Sequence, residues 1–593
     1  MNHLHHFQAC LLLWILLVCS FAPARADKPE EMPIYLYTSP ITEAFFKANG
    51  ANYGTLLVRW REYLRPYNGF KMINRRELLA GLKPGVLVLG SAVLLDEQER
   101  AAIEAYAGNG GNLLVSWGTG ARDGKGSWTG YQFLEKLMDV KVLGTLDRQQ
   151  NEWFLNPFGD GPLTWTVPAG KRIYLGRTAE TPLRLQAAHL AGRYMEWGRH
   201  PGANNDTGAI AYSEKNGSRR VMLGFSEVSW EFDQDSDLMP IFDASFAWLR
   251  HQMRAYTAAW PQGYTAAHLL EMDTEDKFLG AEGFAQDLEK VGMKATFFCL
   301  TSIAKNHKKL VNHLYEKHEV AFHGDVHVGF KGKPAAQQEQ RIVTMQKEMM
   351  ATLQAEHVLR RPGFRAPTES YDADTERLLR QHGFGYHVSQ PEQTEARLPF
   401  FSRAEEDLSS EQALVVLPRT QNDDLNYTKL KKQPEQIKIQ MEKELNYVLE
   451  MGALGVLSIH SQNYGSGGWF NEAGFMRKVV PDYFQRLQKH KDQVWVASGS
   501  EISHWWRERA RVTQSTGLPA EQLAFQVAAP GTTKKLSFFI TRPKQGKQLP
   551  VVEALQGNLP QPKIRVIDEF RVALIFDALA AGKYAYRVQF AQP

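Results

Sequence analysis

"AAHLLEMDTEDKFLGAEGFAQDLEKVGMKATFFCL", residues 266–300, carries the pattern that sets the fold class. An apolar run ends in three carboxylates, Asp273, Glu275 and Asp276. A helix-like stretch and a second apolar run follow, so the segment reads as strand, helix, strand. The rhythm continues through "HEVAF" to "GVLSIH" near 460. Residues 256–510 are therefore expected to form a parallel sheet or barrel, with active groups at the C-terminal ends of its strands.

The flanks differ from this centre. Residues 27–255 alternate short apolar strands ("PIYLYT", "GVLVLG", "NLLVSWG", "RRVMLGF") with amphipathic stretches and close on the helix-like "MPIFDASFAWLRHQM", an α/β pattern. The segment 255–266, "AYTAAWPQGYTA", has Pro and Gly without a clear period and is expected to be a linker. From 511 to 593 short strands separated by Gly/Pro turns predict a small β-sandwich. The fold class is thus α/β and multidomain.

Composition narrows the function. A formal charge of +4 over 593 residues, without a Lys/Arg-dense block, argues against a nucleic-acid partner. Residues 1–26 combine a short apolar run with Ala24-Arg25-Ala26, the pattern of a cleaved secretory signal, so a secreted or periplasmic protein beginning at Asp27 is expected. The leader carries His where Lys or Arg is usual, which keeps an uncleaved membrane anchor as the alternative. No later segment has the apolar length of a membrane span. Cys10 and Cys19 lie in the leader, leaving Cys299 in "ATFFCL" as an expected core residue.

"FHGDVHVGF", 322–330, sets His323 and His327 four residues apart. With 18 His in the chain, chance alone supplies about 0.5 such pairs, so the spacing needs company. If residue 323 opens a helix, both imidazoles share one face and reach one ion, with an anionic ligand from elsewhere. Further polar groups follow in order: Arg365-Ala366-Pro367, Asp423-Asp424 in "LPRTQNDDLNY", and His460 closing "GVLSIH". Trp469 follows a Gly-rich loop where a ring could stack on a sugar, and Trp505-Trp506 is expected in the core.

In this order the segments resemble the NodB-type polysaccharide deacetylases, carbohydrate esterase family 4, over about 240 of the 593 residues. The resemblance implies a distorted (β/α) barrel that binds a divalent ion, with zinc the expected one, and removes N-acetyl groups from sugars. It makes His323 and His327 ligands, Asp273 the general base, Arg365 its charge partner and His460 the general acid. The family's adjacent Asp-Asp is here Asp273-Thr274-Glu275-Asp276, so the anionic ligand is Glu275 if the chain stays extended, or Asp276 if it has already turned. Asp423 or Asp424 would hydrogen-bond His460. The stretch around "VLVLGSAVLLDEQERAAIEAYAGNGGNLLVSWGTG" resembles class I glutamine-amidotransferase-like, flavodoxin-like domains. Trp117 stands in the turn where that family keeps a catalytic Cys, so the domain is expected to be non-catalytic.

The expected function is that of an exported, metal-dependent hydrolase that removes N-acetyl groups from an N-acetylhexosamine polysaccharide, an exopolysaccharide before peptidoglycan. The alternative is a catalytically inactive glycan-binding or scaffold protein of an envelope polysaccharide system. Partners are the polysaccharide and components of a polysaccharide export system.

Overall fold

The computed structural model describes residues 32–590 apart from 147–153, 160, 176–180, 196–206, 233–236, 390–395, 430–432, 466–471 and 516–520. The leader and Trp469 lie outside the described residues.

The N-terminal region is built on five parallel strands in the spatial order Phe70–Ile73, Ile34–Tyr37, Val86–Leu89, Asn112–Ser116, Ser218–Leu223. Ile34–Tyr37, Val86–Leu89 and Asn112–Ser116 among them are near-continuous buried apolar runs, as expected for strands covered on both faces. Antiparallel strands extend the sheet beyond Ser218–Leu223. The strand Asn112–Ser116 does not turn directly into a helix, as the amidotransferase-like reading expects; it enters a loop, and the next helix begins at Gln132.

The central sheet runs Phe400–Phe401, Val415–Pro418, Tyr386–Ser389, Gly363–Arg365, Glu319–Phe322, Thr296–Cys299, Ala266–Thr274, Leu454–His460, all parallel except the first pair. Its strands are fully buried or nearly so, and amphipathic helices flank it. In Gly280–Lys290, Ala281, Phe284, Ala285 and Leu288 recur at one face and enter the core. Cys299 is in the same core. No ladder joins Val415–Pro418 to Leu454–His460, so the barrel is distorted and open there. The side chain of Thr420 bridges the seam instead, donating to Leu454 O (2.6 Å) and accepting from Val456 N (3.2 Å).

The C-terminal residues form two four-stranded antiparallel sheets whose facing side chains share one core, with Phe525 and Phe538 rings 4.4 Å apart. One edge strand comes from the segment read as a linker: Ala255–Thr257 pairs with Phe538–Ile540. Trp260, next to it, is fully buried and donates to Gly452 O (2.9 Å), and Trp505 donates to Ala259 O (2.8 Å). Residues 255–266 therefore weld barrel to sandwich, because a three-residue strand needs only one alternation of side chains and leaves no period to read. Among the described residues no helix is long and apolar enough to cross a membrane.

Candidate active site

Alternation along the first barrel strand decides which groups meet. Glu271, Asp273 and Glu275 are two residues apart and point to one side, toward the strand's C-terminal end. In the neighbouring strand the register sets Asp273 beside His460 and Glu271 beside Ser458. Asp276 is exposed and lies outside the groups that could hold a metal ion, whereas Glu275 lies within them.

His323 follows the strand Glu319–Phe322 but opens no helix. Gly324 takes φ +98°, a conformation that bends the chain away from helical geometry, and Thr301 N and Ser302 N donate to the carbonyls of Gly324 and Asp325. The two imidazoles meet through this bent loop, with ring centroids 5.6 Å apart. Glu275 Oε1 lies 3.1 Å from His323 Nε2 and 2.9 Å from His327 Nε2. His323 is buried, whereas the side chain of His327 is 44% exposed and opens the site to solvent.

This donor set fits a divalent cation. His323 Nδ1 sits 3.0 Å from Arg365 O, and a carbonyl only accepts, so Nδ1 carries the proton and Nε2 presents a lone pair. His323 Nε2 faces a carboxylate oxygen, Glu275 Oε1, at 3.1 Å, a spacing at which one bound cation can be shared between them. Two imidazoles and one carboxylate are ligands suited to zinc, and they leave further positions open. Burial works against ionisation of Glu275, but its contacts with His323 and His327 hold it well below the usual carboxylate range. The same contact raises His327.

Asp273 and His460 stand beside this group. Asp273 Oδ2 forms an ion pair with Arg365, Nε at 2.9 Å, while the buried Oδ1 has no hydrogen-bond partner. His460 Nδ1 is 2.6 Å from Asp424 Oδ1, and its Nε2 points back toward Asp273 Oδ2 (3.7 Å) and Glu275 Oε1 (3.9 Å). Burial alone would lower His460; Asp424 overrides it and pushes the imidazole up to about 10, so it is protonated at neutral pH. Of the two aspartates considered for this task, Asp424 performs it, and Asp423 pairs with Arg419.

Several contributors are not read from motifs. Arg365, buried, also meets Glu271 and Glu369 (3.1 Å), and Glu369 meets Arg419 (3.0 Å). Burial pushes Glu271 up to about 7 against the pull of Arg365. After His460, Ser461 accepts from Glu275 N (3.1 Å), Gln462 donates to Glu275 Oε2 (2.9 Å) and Asn463 donates to Asp424 Oδ2 (2.8 Å). Three consecutive residues thus orient both Glu275 and Asp424. The sequence signal for Glu271 is the same period of two that links Asp273 to Glu275. For "HSQN" it is a polar run at the end of an apolar strand. A cavity of about 750 Å³ lies elsewhere, against residues such as Thr265 and Gln493 that precede strands, at the opposite end of the barrel.

Residues 281–387 match the family of polysaccharide deacetylases, a span that holds His323, His327 and Arg365. That span is thus similar to the polysaccharide deacetylase domain. No curated protein matches the chain. Among solved structures, it is similar to a protein assigned as a polysaccharide deacetylase from Mycobacterium smegmatis, at 21% identity over 42% of this chain and 93% of that one, with a TM-score of 0.35. One from Pseudomonas aeruginosa PAO1 is 17% identical over 43% and 95%, with a TM-score of 0.36. The carbohydrate deacetylase Agd3 is 9% identical over 94% of this chain and 98% of its own, with a TM-score of 0.40.

Proposed function

We propose that this protein is an exported, metal-dependent N-deacetylase of an N-acetylhexosamine polysaccharide, an exopolysaccharide before peptidoglycan, working alongside a polysaccharide export system. The observation that carries this reading is the meeting of Glu275, His323 and His327 around one point, with the orphaned Asp273 Oδ1 and the His460 Nε2–H beside it.

A divalent ion held by these three side chains, zinc by the ligand types, supplies Lewis acidity toward an amide oxygen and acidifies water. The chain's own groups supply the proton traffic. Asp273 Oδ1 accepts a proton from the attacking water, and Arg365 is the ion-pair partner of that carboxylate. As the acetamide C–N bond breaks, His460 Nε2 gives its proton to the departing nitrogen, leaving acetate and a free amine on the sugar. Asp424 holds the imidazole in the orientation and charge state this requires. The N-terminal region, with Trp117 in place of a nucleophile, serves packing or glycan contact.

The test is acetate release from a panel of acetylated glycans, with and without chelator, alongside zinc stoichiometry. Release that chelator abolishes and zinc restores is expected; a zinc-loaded protein silent on every acetylated glycan would instead favour the scaffold alternative.

A further inference from the structure

His323 and His327 are held in different ways. His323 directly follows a strand and is buried, whereas His327 stands in a loop with Gly324 before it and Gly329 after it, its side chain 44% exposed. Glycines leave such a loop many conformations, so a side chain borne on it keeps one position only where groups outside the loop hold it. The near end is tied by Thr301 N and Ser302 N, and the far end by Phe330 N, which donates to Ser370 O (2.8 Å).

The part between is gripped by Arg341, from the helix Ala335–Thr352. Its Nε donates to Asp325 Oδ1 (2.8 Å), Nη2 to Val326 O (3.1 Å) and Nη1 to Gly329 O (3.0 Å). The guanidinium also lies over the Phe330 ring, 4.0 Å from its centroid. These contacts bracket His327 on both sides, at residues 325 and 326 before it and at 329 and 330 after it. A planar fork suits the task, because it aims donors in several fixed directions at once, which an ammonium group does not. The helix is itself anchored, with Ile342, Met345 and Met349 buried in the barrel core. Two turns beyond Arg341 on the same face, Glu348 accepts from Thr301 Oγ1 (2.7 Å), and Thr301 N in turn donates to Gly324 O. One packed helix face thus serves as the template for the loop.

We propose that Arg341 is the positioning residue for His327, holding the exposed imidazole toward the point it shares with Glu275 and His323. The inference rests on the metal site of the deacetylase reading and adds that part of the ligand geometry is set by a helix that contributes no ligand.

The experiment is a double-mutant cycle on zinc affinity, read by competition with a chelator in the wild type, Arg341→Ala, His327→Ala and the double variant. Thermal stability and hydrogen exchange of residues 323–330 in the zinc-free protein are measured alongside. Arg341→Ala should weaken zinc binding by about 10–100-fold, as loss of a group supporting a ligand does, and speed exchange at 326–329. In the His327→Ala background the same change should cost no further affinity, because the side chain it positions is gone. Arg341→Lys keeps the charge beside Asp325 but not the fork; its loss should be smaller and again confined to proteins with His327, which keeps the cycle readable if the alanine variant does not fold. Equal losses with and without His327 would show a general structural role and overturn the proposal, as would unchanged affinity in both Arg341 variants. A wild type that binds no zinc would overturn the metal site and this inference together. One that binds zinc but releases no acetate would overturn the deacetylase reading and leave the cycle to decide on Arg341.

Discussion

Two polar clusters sit at the ends of parallel strands in this chain, and they differ in what is left unsatisfied. In the N-terminal sheet, Ser91, Ser116 and Trp60 all donate to the fully buried Glu227, and burial raises that carboxyl. Trp117 closes the cluster with a left-handed backbone, φ +47°, its N–H on Leu223 O and its indole on Thr181 O. Both Glu227 oxygens are occupied and no imidazole is present. In the barrel, Asp273 Oδ1 is orphaned, two acceptors of Glu275 and His323 face each other, and His327 opens to water. Burial and hydrogen bonding are common to both; unmet valence and access belong to one. That contrast separates a polar knot that holds a sheet together from a site that can act on something else.

The largest effect should come from removing the shared cation site. His323→Ala is expected to lose bound zinc and about 10³-fold or more in acetate release, since several kcal/mol of electrostatic stabilisation go with the ion. Full zinc occupancy in that variant would break the comparison at its base. His460→Ala should keep its zinc and lose about 10²–10⁴-fold in kcat, the usual worth of a general acid. Gln462→Leu should leave the ligands in place but unsteady Glu275, weakening zinc affinity by about 10–100-fold, as read by competition with a chelator.

Asp424→Asn tests charge rather than contact. The pair raises His460 to about 10 from 6.5, so the acid is protonated across neutral pH and its loss should mark the alkaline limb of the rate profile. With Asp424 neutral, that limb should move down toward 6.5. The same raised value means the pair's stabilisation is complete below pH 6.5 and disappears as pH rises through about 10. The smallest catalytic effect is expected from Glu227→Gln, which should lower thermal stability by about 1–3 kcal/mol through mispaired donors and leave kcat of the folded protein unchanged. Loss of acetate release there, at full stability, would show that the sealed cluster does more than pack.

Much of the barrel site is legible in the sequence because each of its groups sits where an apolar strand runs out. Asp273, His323 and His460 all stand in such positions, and order along the chain then supplies their proximity. That Glu275 and not Asp276 faces the same side as Asp273 follows from alternation. The supposed helix at His323 does not form, because Gly324 adopts a dihedral that spacing cannot reveal. Arg419 and Glu369 pair directly yet lie 50 residues apart, so no local pattern announces them. Glu271 is hidden differently: it is one acid inside an apolar strand, and its partners Arg365 and Ser458 come from other strands.

The edge strand Ala255–Thr257 has a consequence in time. It emerges from the ribosome before the first residue of the barrel, yet its pairing partner, Phe538–Ile540, comes only after the last. Such a distant pairing must wait for the whole intervening domain to be made and brought into place, and non-local closures of this kind are slow. The C-terminal sheets therefore act as a clasp fastened last. A nascent or truncated chain that stops before residue 533 leaves the edge at Tyr256 open and the Trp260 shelf half built, a vulnerable interval for proteolysis or mispairing even when every group of the candidate site has already been synthesised.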